Sequence, residues 1–263
     1  DGEVVALTWD GTGDGGDGTI WGGELLHGTA GASRRVGSIV PFGLAGGETA
    51  IRRTWRTALS LLVGAEVDPA AVGFEGVDPA ALKAVRGLLE GGRTTVSTTS
   101  LGRLFDGVGA LLGLCLENTH QAQGPQMLEW AAWRATAPAP LEMPIVEEDG
   151  LRRIDWRPAV RELASGRHDV ADAAAGFHRA LVAAALELLE PWDLPCLLSG
   201  GVFCNRYLTE ALLVAARERG RDLRAHAQLP PTDGALAAGQ VWAVGHAVRA
   251  TSAPDVSQPV DQA

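Results

Sequence analysis

Lysine is almost missing from this sequence: Lys83 stands alone, and the other basic residues are all arginine. No Gly-Lys-Ser or Gly-Lys-Thr occurs, which excludes a Walker-type phosphate loop. Cysteine is scarce as well. Cys115, Cys196 and Cys204 lie far apart with no C-x-x-C spacing. Each falls in an apolar or helical stretch, so buried free thiols of a reducing compartment are expected rather than disulfides. No apolar run reaches membrane-span length and no signal-peptide pattern opens the sequence, so a cytoplasmic location without a membrane partner is expected. The first residue is Asp1, not methionine, from which a domain or truncated fragment of something longer is expected. The histidines, at 27, 120, 168, 178, 226 and 246, form no i,i+2 or i,i+4 pair, so local spacing supplies no histidine metal cluster. The net charge of −10 argues against a nucleic-acid partner.

What is present fits a globular chain of 263 residues, 46% hydrophobic and 21% charged. Its opening is unusual: DGTGDGGDGTIWGGE, residues 10 to 24, packs seven glycines and three aspartates between two strand-like runs, Val4 to Trp9 and Thr19 to Leu26. Two roles compete for it. Asp-Gly is the favoured pair of a hairpin turn. Glycine loops also let backbone N–H groups approach phosphate, with aspartates holding a metal ion beside it.

Arg34 to Phe42 reads as a third strand. A helix is expected from about Glu48, with Ile51, Trp55, Leu59 and Leu62 on one face, and another from Pro79 to Leu89. Further helices are expected over Leu101 to Leu114 and Gln121 to Thr136. A hairpin, EMPIV and LRRIDW around Asp149-Gly150, comes next, then a short helix opened by Pro158 and an alanine-rich one from Asp169 to Leu189. The end reads β-loop-α-β-loop-α: a strand Leu194 to Ser199, Gly200-Gly201, a helix Asn205 to Arg219, the strand DLRAHA, then PPTDG and a helix from Asp233 to Arg249. Residues 251–263 read as a disordered tail.

Ser199, Gly200 and Gly201 sit where a strand feeds a helix N-terminus, a place that favours an anion, although a plain tight turn explains them equally. Ser199 is not in a G-x-S-x-G elbow, which argues against a hydrolase nucleophile. Asp233 opens a helix and suits either an N-cap or a metal ligand. His178, beside Phe177 on the long helix, reads as a core residue.

The pieces DGTGDGGDGTIWGGE, PFGLAGGETAIRRTWRTAL, TSLGRLFDGVGALLG, DWRP, LSGGVFCN and PPTDGALAAGQ, in that order, resemble the HypF carbamoyltransferases over nearly all of residues 3–245. The resemblance is to their C-terminal, Kae1-like (TsaD-like) domain. It implies an α/β, two-lobed actin-like (ASKHA) fold with an incomplete N-terminal lobe over 1–93 and a C-terminal lobe over 94–250. It also implies binding of ATP or carbamoyl-adenylate, with a divalent metal, and transfer of the carbamoyl group to the C-terminal cysteine of a HypE-type acceptor in NiFe-hydrogenase maturation. A YrdC-like domain upstream in the full-length protein would supply the adenylate. By the same resemblance, Gly200, Gly201 and Asn205 match the nucleotide loop, Asp106 the acid that holds the ribose, with Gly102 giving close approach. Asp10 and Asp233 match the metal ligands. Arg52 and Arg56 suit either anion binding or solvated helix charges. Two departures stand out: the family's upstream H-x-x-x-H is not among these residues, and His120-Gln121 replaces its tyrosine-glutamate. An O-carbamoyltransferase of small-molecule biosynthesis and a non-catalytic nucleotide-binding remnant are the alternative readings.

Overall fold

The computed structural model describes residues 2–29, 31–92 and 95–252. The expected disordered tail lies almost wholly outside them. The first strand, β1 (Val4–Asp14), carries Val5, Leu7 and Trp9 on one buried face, as period-two alternation requires. It pairs antiparallel with β2 (Ile20–Gly28), which pairs antiparallel with β3 (Ser33–Ile39). Pro41 separates β3 from β4 (Phe42–Ala45), so the single strand expected over 34–42 is two. The helix expected from Glu48 is likewise divided into α1 (Glu48–Arg52) and α2 (Trp55–Gly64). Arg53, at φ −95° and ψ 83°, leaves the helical region between them.

After α3 (Pro79–Gly91) comes β5 (Thr95–Thr98), a short strand that its threonine-rich composition did not announce. It is held by antiparallel pairing with β4 and one parallel partner in β2. The chain then forms α4 (Leu101–Leu111), α5 (Gln123–Ala132), β6 (Ile145–Glu148), β7 (Leu151–Ile154), α6 (Arg157–Ala164) and α7 (Val170–Leu189). Asp169 caps α7 by accepting the Ala171 N–H at 2.8 Å, as the sequence pattern of an N-cap requires. The chain closes with β8 (Cys196–Ser199), α8 (Arg206–Glu218), β9 (Leu223–Arg224) and α9 (Leu236–Ser252).

Among the described residues these strands make a nine-stranded mixed sheet whose main path is β6-β7-β3-β2-β1-β8-β9. β1 and β8 pair in parallel, Thr8 opposite Ser199. The sheet therefore crosses the lobe boundary expected at residue 93, joining the first strands to the last ones. Helices α4, α5, α7 and α8 pack on one another in sequence, and α4 also touches β1. Trp9 and Phe203 stack inside at 5.3 Å, locking the end of β1 to the segment after β8. Among the described residues no helix is long and apolar enough to cross a membrane.

Candidate functional site

The aspartates of the opening loop divide their labour. Asp14 accepts the Gly16 N–H at 2.8 Å, and Asp17 accepts the Thr19 N–H at 2.9 Å and the Trp21 indole at 3.1 Å. These two close the hairpin. Asp10 faces the other way: its Oδ1 accepts the Gly11 N–H at 2.7 Å and the Gly201 N–H at 3.3 Å. The hairpin reading thus holds for Asp14 and Asp17, while Asp10 is turned away from the turn toward Gly201.

Glu24 fixes the far side of this loop. Buried, it accepts the N–H groups of Gly22 and Gly23, is bonded by the Thr99 hydroxyl, and lies 3.6 Å from the Arg35 guanidinium. Burial pushes its carboxyl above the usual range, against the pull of those donors. Ser100 ties α4 to β1: its hydroxyl accepts the Arg103 N–H at 3.1 Å and donates toward the carbonyls of Asp10 and Gly11 at 3.0 and 2.7 Å. The approach is close enough that a Cβ on Gly102 would lie 2.6 Å from the Gly11 Cα. Gly200, at φ +106°, is required by backbone too, since its Cβ would fall 2.1 Å from the Trp9 carbonyl.

Between these segments and α5 lies a cleft of about 580 Å³. Asp10, Gly102, Gly201, Asn205 and Asp233 all line it, so the structure brings together five of the expected site residues from across the chain. Asp233 sits in a turn, Asp233–Ala235, with Thr232 in the capping position. The Asp233 carboxyl therefore does not cap the helix. Arg103, Gln121, Glu129 and Cys204 also line the cleft, though none of them is nominated as a site residue by the sequence. Gln121 is one of the two residues that depart from the family pattern.

Other expected site residues lie outside the cleft lining. Ser199 and Gly200 do not line the cleft; Ser199 is spent in the β1–β8 ladder and the Gly200 N–H on the Pro231 carbonyl at 2.8 Å. The α8 N-terminus has no free donors for an anion. Glu129 accepts the N–H groups of Arg206 and Tyr207 at 2.8 and 3.1 Å, and the Asn205 Oδ1 accepts that of Leu208 at 2.9 Å. Asp106 is fully buried one helical turn behind the cleft wall. It stands 2.9 Å from Arg103 and accepts the Asn118 amide at 3.1 Å, while burial raises its carboxyl above the usual range. Arg52 pairs with Glu117 at 3.1 Å and Arg56 donates to the Ala45 carbonyl at 3.1 Å, both outside the cleft. Cys115 and Cys196 are buried thiols, whereas Cys204 is exposed.

Arg103 is the cation the sequence reading missed. Its side chain is 11% exposed, its Nη2 would lie 3.1 Å from a Cβ on Gly11, and its Nε and Nη1 have no aligned hydrogen-bond acceptor. The Cys204 thiol is raised above its usual range by burial and by the Asp10 and Glu129 carboxylates, so it stays protonated at neutral pH. The cleft can therefore offer amide and guanidinium donors and three carboxylates, those of Asp10, Glu129 and Asp233, but no activated nucleophile of its own.

A family model described as the second subdomain of the carbamoyltransferase Kae1-like domain matches residues 6–240. The chain is 32% identical over 259 residues to carbamoyltransferase HypF of Synechocystis sp., covering 91% of this chain and 34% of that protein. With carbamoyltransferase HypF of Rhizobium leguminosarum it shares 34% over 246 residues, covering 91% and 32%. It thus spans about a third of the length of these two relatives. A HypF homolog of Cupriavidus necator matches at 30% over 273 residues, with 95% of this chain and 67% of that one covered. Among solved structures, full-length HypF in a phosphate- and nucleotide-bound form superposes with a TM-score of 0.83 at 27% identity, covering 94% of this chain and 40% of that one.

Proposed function

Because the chain belongs to the HypF carbamoyltransferase family through its Kae1-like domain, we propose that its cleft binds ATP or carbamoyl-adenylate and serves carbamoyl transfer. One observation carries this reading. Residues from opposite ends of the chain, Asp10 and Gly102 with Gly201, Asn205 and Asp233, converge on a single cleft of about 580 Å³. That is within the range of small-molecule sites. The solved relative that binds nucleotide supports the ligand class.

In this reading the Asn205 amide and the Arg103 guanidinium meet the anionic and polar parts of the nucleotide, with Gly201 allowing close approach to the backbone. The acceptor is a thiol from outside, since Cys204 is held protonated. After losing its proton to solvent, the acceptor thiolate attacks the carbamoyl carbon of the mixed anhydride. A sulfur–carbon bond forms, the carbon–oxygen bond to phosphate breaks, and AMP leaves with its electron pair. The contribution of the cleft is orientation and charge stabilisation. A HypE-type C-terminal cysteine is the acceptor that the family resemblance implies, with hydrogenase maturation as its setting.

A divalent metal does not fit the residues on hand as a complete centre. Asp10 and Asp233 are hard oxygen donors, but among the described residues no group of three or more His, Cys, Asp or Glu side chains is placed to hold an ion. No step is derived through a metal. The same observation favours a second reading, in which the chain is a nucleotide-binding module that does not carry out transfer by itself.

Calorimetric titration with ATP, and with a non-hydrolysable carbamoyl-adenylate analogue, tests the first reading. One saturable site is expected. Absence of heat with both ligands and no thermal stabilisation by either would remove it. Transfer of labelled carbamoyl to a cysteine-terminated peptide separates the transferase from the binding module.

A further inference from the structure

We infer that His178 is a positioning residue for the cleft, holding the Asn205 side chain so that one amide N–H is presented to the ligand. His178 is on α7, fully buried, and does not itself line the cleft. Its Nδ1 lies 2.7 Å from the Ala174 carbonyl oxygen, which can only accept, so Nδ1 carries the proton. The neutral ring is then an acceptor at Nε2, and the Asn205 Nδ2 donates to it at 2.9 Å. Burial lowers the imidazole pKa to about 4, which keeps the ring in this neutral form.

The consequence falls on Asn205. Its Oδ1 is committed to the Leu208 N–H and one Nδ2 hydrogen to His178. The amide cannot flip without losing both bonds. Its second Nδ2 hydrogen is the part of the side chain left over, and Asn205 lines the cleft. The ring is held in turn by edge contacts with Phe105, Phe177 and Tyr207 at 5.1 to 5.9 Å. A carbonyl on one helix therefore sets the tautomer, the tautomer sets the amide, and the amide sets where a donor points. The ligand chemistry that matches is an acceptor oxygen or ring nitrogen. This inference rests on the nucleotide reading for the identity of the ligand, but not for the geometry of the pair.

The test uses the whole chain. Side-chain nitrogen NMR of the parent should show His178 protonated at Nδ1 and bare at Nε2, with slowly exchanging Asn205 amide protons. In His178→Gln, whose amide oxygen can accept from Asn205, ATP affinity should stay within about threefold of the parent. In His178→Leu, which cannot accept, ATP affinity should fall by about tenfold or more while the folded fraction still melts cooperatively. A parent ring protonated at Nε2, or unaltered Asn205 amide exchange in His178→Leu, would overturn the inference, even if the leucine variant is too unstable for titration. Equal ATP affinity in folded parent and leucine variant would overturn it too. If the parent binds no nucleotide but its Asn205 amide loses protection in His178→Leu, the positioning stands and the nucleotide reading falls.

Discussion

The Asp10 carboxylate, within the first strand, accepts the backbone N–H of Gly201 at 3.3 Å, across 191 residues of sequence. This one bond brings the glycine loop of the opening hairpin and the turn after β8 to the same wall of the cleft. A Cβ on Gly201 would lie 3.1 Å from the Asp10 Oδ1, a spacing that a larger side chain must widen. Gly201→Val is expected to weaken ATP binding by about tenfold or more, since ~1.4 kcal/mol is one decade. Calorimetry against the parent, with thermal midpoints recorded for both, checks it; matched affinities would move Gly201 out of the site.

Asp106 behaves differently from a ligand-binding acid. Asp106→Asn removes the charge that faces Arg103 at 2.9 Å in a buried pair. Breaking such a pair costs roughly 3–5 kcal/mol. For a chain of this size the thermal midpoint should fall by roughly 6–20 °C. Discrimination between ATP and 2′,3′-dideoxy-ATP should stay as in the parent. A stable variant that no longer distinguishes the two nucleotides would return Asp106 to the ribose.

Glu24 is expected to matter for folding as much as any core residue. Glu24→Ala strands the N–H groups of Gly22 and Gly23 and leaves Arg35 without its buried partner. A loss of about 3 kcal/mol or more is expected. Urea denaturation should show it as a lower midpoint at unchanged slope. A loss within 1 kcal/mol, about the size of a typical single neutral hydrogen bond, would show that water takes over those donors.

His178 gives the protein a specific acid response. Its imidazole takes up a proton near the ordinary histidine value of about 6.5 in the unfolded chain, but only at about 4 when folded. Between those values the unfolded state holds more protons, so stability falls as pH drops through that window, by at most ~1.4 kcal/mol per pH unit. The raised carboxyls of Glu24 and Asp106 act in the opposite sense, because the folded state binds their protons first. The difference in stability between the parent and His178→Gln isolates the histidine. That difference should shrink as pH falls from 6.5 toward 4; a constant difference would show that His178 does not titrate separately in the two states.

Much of the fold was legible because its signals are local. Asp169 before an alanine-rich run, Pro79 at a helix start and Asp149-Gly150 between two apolar segments each specify a cap or turn through their own backbone geometry. Where a signal depended on partners, it was lost. β5 has no apolar alternation, and exists because β4 and β2 offer it hydrogen bonds. The break at Arg53 lies inside a continuous apolar periodicity, and is stabilised by the Asn118 N–H reaching the Arg52 carbonyl at 2.7 Å.

For the site, residue types and their order along the chain were enough to nominate Asp10, Gly102, Gly201, Asn205 and Asp233, because glycine where backbones touch and aspartate beside them carry their reason in their chemistry. Which carboxylate turns outward is another matter. Asp10 and Asp106 are the same residue type in equally suggestive motifs, yet one lines the cleft and the other is sealed behind it against Arg103. Likewise Arg103, inside an apolar helix, and His178, a core residue by every local sign, gain their roles only from what tertiary packing sets opposite them. Backbone preference is written in neighbouring residues and is determined by the sequence alone. The direction a buried polar group faces is decided by its partners, which for Asp106 and Asp10 include groups 12 and 191 residues away that only the folded chain brings within bonding distance.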